Sequence, residues 1–362
     1  KKCPYCDFNS HLSARELPEQ AYTEALIEDL RQDLFWVQGR KISSIFFGGG
    51  TPSLFSSDAI SLVLETANKL VEFEDNIEIT LEANPGAIDE ERFDGYSRSG
   101  VNRLSIGVQS FNDKNLKRLG RIHSGDRARR AIESAHKANF NRVNIDLMHG
   151  LEQQNIEDSL EDLKLAIDSR AEHISWYQLT VEPNTFFYSN PPALPSEDKI
   201  SDIQRAGREI LLECGYKQYE VSAFAKPGRE ARHNVNYWKF GDYIGIGAGA
   251  HGKITVLDNQ NIVRTQKIRH PDRYLKSKLT GVQHQKPVPT QELPMEFMMN
   301  VLRLKHGVPT ELFSKRTGLH IDSILPLLQK LREEGLLVNE NNKIAASVLG
   351  YKFLNHIIQK FC

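Results

Sequence analysis

Cysteine is scarce: the chain has four in 362 residues, and Cys214 and Cys362 are isolated, which excludes a disulfide framework. Long apolar runs are missing, since no stretch approaches the roughly 20 residues of a membrane-spanning helix. Charge of one sign is missing as well. Lys and Arg number 46 against 47 Asp and Glu, a formal net charge of -1. That balance excludes wholesale electrostatic binding to nucleic acid or anionic lipid and leaves only local contacts. The chain opens on Lys-Lys-Cys with no signal-peptide pattern, and with unbridged cysteines this points to a reducing compartment and a cytoplasmic protein. The 40% hydrophobic and 26% charged residues are ordinary for a soluble chain of about two domains.

What is there begins at the first residues. In Cys3-Pro4-Tyr5-Cys6 two thiols share one side of a tight loop, a spacing that suits two ligands of one metal centre or the two halves of a redox disulfide. Taken alone the motif also fits a glutaredoxin loop. A structural zinc would need two more Cys or His, and only His11 is near. A second loop, Gly48-Gly49-Gly50-Thr51-Pro52, follows an apolar run and exposes backbone N–H and C=O to a small polar ligand.

Strand-like and helical patterns alternate through the first 200 residues. Strands are expected at 42–47, 77–81, 103–108, 143–147 and 173–179, and helices at 18–37 and 57–71. A further helix has Ile156, Leu160, Leu163 and Ile167 behind an Asn155 cap. Apolar strands each followed by a helix call for a parallel sheet covered by helices. In a barrel of this kind the loops after the strands form the functional face. The five units and a strand ahead of Cys3 make six, although the pattern alone also allows eight units or an open doubly wound sheet. From Tyr219 to Thr265 short strands and turns are expected, including Arg232 to Trp238 and the glycine-rich Ile244 to Gly252. Residues 283–289 read as a linker. Three helices, a short hairpin and a last helix follow, which is winged-helix-like.

These motifs, with Glu82-Ala83-Asn84-Pro85 and Gly107-Val108-Gln109-Ser110-Phe111, resemble the radical S-adenosylmethionine superfamily over nearly the whole chain. More narrowly, the chain looks like the branch that holds oxygen-independent coproporphyrinogen III dehydrogenase and its heme-chaperone relatives. The resemblance implies an α/β fold: a partial (β/α)6, TIM-like barrel over residues 1–285, with a heme-motif extension at about 219–275. A small, mainly helical winged-helix-like domain takes up 286–362. It implies a [4Fe-4S] cluster on Cys3, Cys6 and a third cysteine expected just upstream of Lys1, because the family spacing is Cys-x-x-x-Cys-x-x-Cys. For S-adenosylmethionine it assigns Gly49, Gly50 and Thr51 to the methionine end. Glu82 and Gln109 take polar contacts, Arg121 the carboxylate, and Tyr5 the adenine, with Asp146 and Thr180 on the same face.

The branch follows from two further places. Coproporphyrinogen-oxidising members carry another cysteine two residues after the last cluster ligand and a longer leading segment; here that place is Phe8 and no such segment is seen. The chaperone branch carries His-Asn-x-x-Tyr-Trp, matched by His233-Asn234-Val235-Asn236-Tyr237-Trp238. His233 is thus the implied heme ligand, with Tyr237 and Trp238 packing on the macrocycle and His251 a second candidate. His149 reads as a capping or packing residue. The implied function is a heme chaperone that delivers heme to acceptor proteins such as respiratory enzymes at the cytoplasmic membrane, with peripheral membrane association. The alternative is oxidative decarboxylation of coproporphyrinogen III. Nucleic acid is not an expected partner: around the would-be recognition helix, Asp322, Glu333 and Glu334 offset Lys330 and Arg332.

Overall fold

The computed structural model describes residues 3–9, 11, 17–277 and 282–362. The chain divides into two compact units, one of residues 1–23, 41–218 and 222–231, the other of 24–40, 219–221 and 232–362. A first helix, α1 (Glu19–Asp33), runs from one into the other.

In the first unit, strands β1 (Ile42–Phe47), β2 (Phe73–Ala83), β3 (Arg103–Gln109), β4 (Val143–His149) and β5 (His173–Gln178) pair side by side in chain order, all parallel. These are the five expected units. The intervening helices are α2 (Ser57–Leu70), α3 (Ala87–Arg98), α4 (Asp113–Arg118), α5 (Gly125–Lys137) and α6 (Ile156–Asp168). After β5 come α7 (Phe186–Ser189) and α8 (Glu197–Glu213). From β1 to β5 the strand order never reverses, so right-handed crossovers keep their connecting helices on one face of the sheet. This gives a half-barrel and removes the doubly wound alternative. Beyond β5 the sheet reaches seven strands with β6 (Lys217–Glu220) at the edge and β7 (Ala223–Ala225) antiparallel to β5.

Period-2 alternation sorts each strand into two rows. Ile79, Leu81, Leu104, Ile106, Ile145, Leu147 and Ile174 are buried in one cluster with Ile60 and Leu64 of α2, Phe93 and Tyr96 of α3 and Ile132 of α5. The opposite row is polar: Glu82 lies opposite Ser105, Ser105 opposite Asn144, and Asp146 opposite Ser175. Helix starts are pinned locally. Asn155 accepts from Asp158 N at 2.7 Å, and Asp158 returns a bond to Asn155 N, closing a capping box worth about 1 kcal/mol.

In the second unit, residues Arg232–Trp238 form a helix, α9, where turns and short strands were expected. Seven residues carry too few turns for a helical period to stand out. Strands β8 (His251–Thr255), β9 (Ile262–Lys267) and β10 (Val282–Pro287) form an antiparallel sheet in the order β10-β9-β8. β10 replaces the expected linker. It is an edge strand with residues 284–287 exposed, and a polar exposed edge has the composition of a loop. Helix α10 (Pro271–Lys276) separates β9 from β10.

Helices α11 (Leu293–Val301), α12 (Glu311–Thr317), α13 (Leu325–Glu333) and α14 (Leu354–Gln359) close on a core of Phe297, Met298, Val301, Phe313, Leu328, Leu331 and Ile357. The short strands β11 (Val308–Pro309) and β12 (Lys343–Ile344) pair antiparallel, giving the winged-helix-like arrangement. Arg332 is buried and donates to the carbonyls of Glu340 and Lys343 at 3.1 Å each, so it adds no charge to the surface of α13. A buried ion triad also sits in this unit: Lys267 Nζ lies 2.5 Å from Asp29 and 2.7 Å from Asp33. The glycine-rich loop is tied to the triad, because Gly247 N donates to Asp29 at 3.0 Å.

Candidate functional site

The two-cysteine loop is a turn closed by Cys6 N donating to Cys3 O at 3.2 Å, and neither thiol is in a disulfide. Its seat is made by sequence-distant segments. Pro4 O accepts from Phe187 N at 3.0 Å, and Pro4 lies so close to Gly120 that a Cβ there would sit 2.7 Å from Pro4 Cδ. Gly120 also has φ +67°, so only glycine suits this approach. Tyr5 packs with Leu119, Met148, Leu151, Leu179 and Phe187. Burial pushes its hydroxyl well above the usual tyrosine range, against the lowering influence of Arg121.

Arg121 is the hub. Its Nη1 reaches Cys3 Sγ at 3.7 Å, while Nη2 donates to Asn84 Oδ1 at 2.8 Å and to Gly107 O at 2.7 Å. Its Nε is buried with no acceptor, a donor left for a ligand on this face. Asn84 continues the chain by donating to Thr51 Oγ1 at 3.4 Å. Beside Thr51, Gly49 takes φ +123° and donates its N–H to Glu82 Oε2 at 3.2 Å. Burial, and then the negative charge of Asp146, push the Glu82 carboxyl up to about 7.

Asp146 is held by Asn144 Nδ2 at 2.7 Å and Ser105 Oγ at 3.3 Å, and burial raises its pKa despite these bonds. Asn144 is itself a junction that also accepts from Ser175 Oγ at 3.0 Å. Gln109 ends β3 in the left-handed region, φ +70°, a conformation that costs a non-glycine residue about 1–3 kcal/mol. Its Oε1 accepts from Tyr177 OH at 2.7 Å. The turn after it is anchored by Asp162 of α6, which accepts from Ser110 Oγ and Phe111 N at 2.7 Å each.

Of the suggested residues, Cys3, Arg121 and Thr51 are thus joined through Asn84, Gly49 bonds to Glu82, whose carboxyl feels the charge of Asp146, and Gln109 bonds to Tyr177, which packs in one cluster with Tyr5. Gly50 is exposed next to Thr51, and Thr180 is exposed two residues beyond β5. Asn84 stands inside a motif singled out in the sequence without a role of its own; Asn144 and Tyr177 show only as polar members of strand rows. His149 packs its ring 4.3 Å from Trp176, and burial lowers its pKa to about 3.

In the second unit, His233 and Tyr237 stand one turn apart on α9 with ring centroids 4.8 Å apart. Tyr237 also lies 4.3 Å from Tyr243, whose hydroxyl accepts from Arg264 Nη1 at 2.9 Å; Arg264 in turn pairs with Glu296 at 2.5 Å. Trp238 faces another way: it packs on the C-terminal helical core, with the Arg303 guanidinium 4.3 Å over its ring. His251 is exposed at the start of β8, opposite Gln266, and its pKa is lowered by partial burial and by Arg269 and Arg264.

A parallel half-barrel with a cysteine-pair loop and a polar inner wall defines a cofactor-binding α/β protein. The profile of the radical SAM superfamily matches residues 1–166, and that of the HemN C-terminal domain matches residues 288–352. The chain belongs to the radical SAM superfamily, within the branch of the HemW proteins that it matches along their length. It is 46% identical over 365 residues to the heme chaperone HemW of Haemophilus influenzae, covering 100% of this chain and 94% of that one. It is also 46% identical over 361 residues to HemW of Escherichia coli, covering 100% and 95%. A mitochondrial radical S-adenosyl methionine domain-containing protein 1 from Bos taurus is 33% identical over 372 residues, covering 99% and 84%. The solved coproporphyrinogen III oxidase HemN of E. coli superposes with a TM-score of 0.82 at 21% identity, covering 100% of this chain and 87% of that one; the fold is shared.

Membership implies a [4Fe-4S] cluster and S-adenosylmethionine. The residues present fit both: two unbridged thiols on one turn with a guanidinium at Cys3, and a wall of paired donors and carboxylates with the Arg121 Nε unspent. Among the described residues no group of three His, Cys, Asp or Glu is placed to hold a metal. No helix among the described residues is long and apolar enough to cross a membrane.

Proposed function

We propose that this protein is a heme chaperone that binds a [4Fe-4S] cluster, S-adenosylmethionine and heme and passes heme to acceptor proteins, respiratory enzymes among them. The observation that carries the reading is the His233–Tyr237 pair on one face of α9, within His-Asn-x-x-Tyr-Trp, in a chain whose place two residues after Cys6 is Phe8 rather than cysteine. The relatives named heme chaperone at 46% identity support it.

In this reading Cys3 and Cys6 hold the cluster as thiolates, with a third cysteine upstream of Lys1. Arg121 takes the carboxylate of S-adenosylmethionine while staying at Cys3, so cluster and cofactor share one cation. Gly49, Gly50 and Thr51 hold the methionine end and Tyr5 covers the adenine. Glu82 carries a proton for part of the time near neutral pH, so it both donates to and accepts from the cofactor's hydroxyls. Gln109, Asp146 and Thr180 complete that wall. The bound cluster supplies one-electron chemistry toward the cofactor. In the second unit His233 ligates heme iron, Tyr237 packs against the macrocycle, Trp238 fixes α9 to the helical core, and His251 is a further ligand candidate.

The test is direct. Protein reconstituted with iron and sulfide under anaerobic conditions is expected to bind heme stoichiometrically, to hand it to an apo-acceptor, and to leave coproporphyrinogen III unconverted. Formation of protoporphyrinogen would overturn the chaperone reading in favour of oxidative decarboxylation.

A further inference from the structure

The three-stranded sheet of the second unit has one face that the reading above leaves without a role. Residues directly opposite each other in an antiparallel pair point to the same face, so the register lays the side chains out in rows. One row is His284 of β10, Gln266 of β9 and His251 of β8. The next is Lys286, Arg264 and Lys253, continued by Tyr243, which bridges to Lys253 on the far side of β8. Two residues further along β9 stands Ile262, buried in the C-terminal helical core. The face is therefore closed at its Ile262 end and open at its Gln266 end, where His251, His284 and Lys286 are exposed.

The open end is cationic. Lys253 and Arg264 each have a carboxylate of their own, Asp242 at 2.7 Å and Glu296 at 2.5 Å. Lys286 differs, because among the described residues no carboxylate pairs with it. Burial, then Arg269 and Arg264, lower the pKa of His251, so the charges of two arginines reach this end of the sheet. A guanidinium has five donors, and Arg264 can serve Tyr243, Glu296 and a further carboxylate at once.

This end is also joined to the heme motif. Arg264 donates to the Tyr243 hydroxyl at 2.9 Å, Tyr243 lies 4.3 Å from Tyr237, and Tyr237 lies 4.8 Å from His233. Heme carries two carboxylates on one edge of an otherwise apolar disc. A site that grips only the iron and the ring leaves those anions without partners.

We infer that the open end of this face takes the propionate carboxylates of heme, with Lys286 as its unpaired cation and Arg264 and His284 beside it. The edge strand β10 then selects porphyrins whose acid side chains are free. The inference rests on the reading of the second unit as the heme site and extends it from the iron to the periphery of the ligand.

The experiment titrates the full chain with heme, iron protoporphyrin IX dimethyl ester and free-base protoporphyrin IX in one detergent buffer, following the Soret band for the first two and porphyrin fluorescence for the third. Wild type is expected to bind heme about tenfold more tightly than the diester, a difference of about 1.4 kcal/mol. In Lys286→Glu the heme affinity is expected to fall about tenfold while diester affinity and Tm stay as in wild type, since the residue lies on an exposed edge. His284→Ala is expected to shift heme affinity the same way by a smaller factor. Equal heme affinity in wild type and Lys286→Glu would overturn the inference and leave the lysine as a guard against edge-to-edge pairing. So would a wild type that binds the diester as tightly as heme, or a loss in Lys286→Glu that is the same for both. A His233→Ala protein that binds heme like wild type, with the Lys286→Glu loss intact, tells against His233 as the iron ligand and supports the carboxylate site. If wild type takes up no heme, the chaperone reading fails by itself. The site is then judged on free-base protoporphyrin: weaker binding in Lys286→Glu supports it, and equal or absent binding overturns it.

Discussion

Asn84 accepts a 2.8 Å hydrogen bond from Nη2 of Arg121 and, through its own amide, bonds to the Thr51 hydroxyl at 3.4 Å. The arginine at the cysteine loop and the threonine of the glycine-rich loop therefore share one positioning side chain. Asn84→Ala is expected to weaken S-adenosylmethionine binding by about 1–2 kcal/mol, roughly a five- to thirtyfold rise in Kd, because Arg121 keeps only Gly107 O on that nitrogen. Isothermal titration measures the affinity. A change in the electron paramagnetic resonance signal of the reduced cluster would report the displaced guanidinium, which simple loss of stability would not.

Glu82 sets a pH dependence. Burial first, and Asp146 second, raise its carboxyl from an ordinary 4.5 to about 7, so between those values the folded protein binds a proton that the unfolded chain releases. The stabilisation from that proton is fully present below 4.5 and is lost as pH rises through about 7. Thermal unfolding of the apo-protein should show Tm falling across this window by several degrees, and Glu82→Gln should flatten that slope. A slope identical in the variant would assign the dependence to another group.

For heme, His233→Ala is expected to lower affinity at least tenfold while cluster absorbance stays intact, since His233 belongs to the second unit and the cysteines to the first. Heme titration followed in the Soret band measures it. Unchanged affinity would move the ligand to His251 or to a thiolate.

Asp162 is a structural test of the half-barrel. It accepts from both Ser110 Oγ and Phe111 N, and burial pushes its own carboxyl up to about 6. Asp162→Ala strands two buried donors and should cost about 2–4 kcal/mol, read as a lower urea midpoint with unchanged slope. Gln109, just before the anchored turn and proposed above as a cofactor contact, should then be displaced, and S-adenosylmethionine affinity should fall in the fraction that still folds.

The strands of the half-barrel were legible because apolar residues recur at every second position along them, as Ile145 and Leu147 around Asp146 or Leu104 and Ile106 around Ser105 show. Fold class followed from their alternation with helices, whereas choosing a half-barrel over a doubly wound sheet needed the strand order. The glycine and cysteine motifs were legible through resemblance, and the electrostatic coupling of Glu82 to Asp146 came only with the fold, since 64 residues separate them on the chain. Asn84, Asn144 and Tyr177 carried no spacing signal because their partners lie far along the chain: Thr51 and Arg121 for the first, Ser105 and Ser175 for the second, Gln109 for the third. α9 and β10 were misread for opposite reasons: one is too short to display a period, and the other is an exposed edge with a loop's composition.

The triad of Lys267, Asp29 and Asp33 has an evolutionary consequence. With Lys267 fully buried, its loss alone would leave two carboxylates facing each other away from water, at a cost of about 3–5 kcal/mol, and loss of the aspartates would maroon the ammonium. Drift at these three positions is therefore expected to be concerted, so that homologues change all of them together or none, and the glycine-rich loop that Asp29 tethers inherits that immobility across lineages.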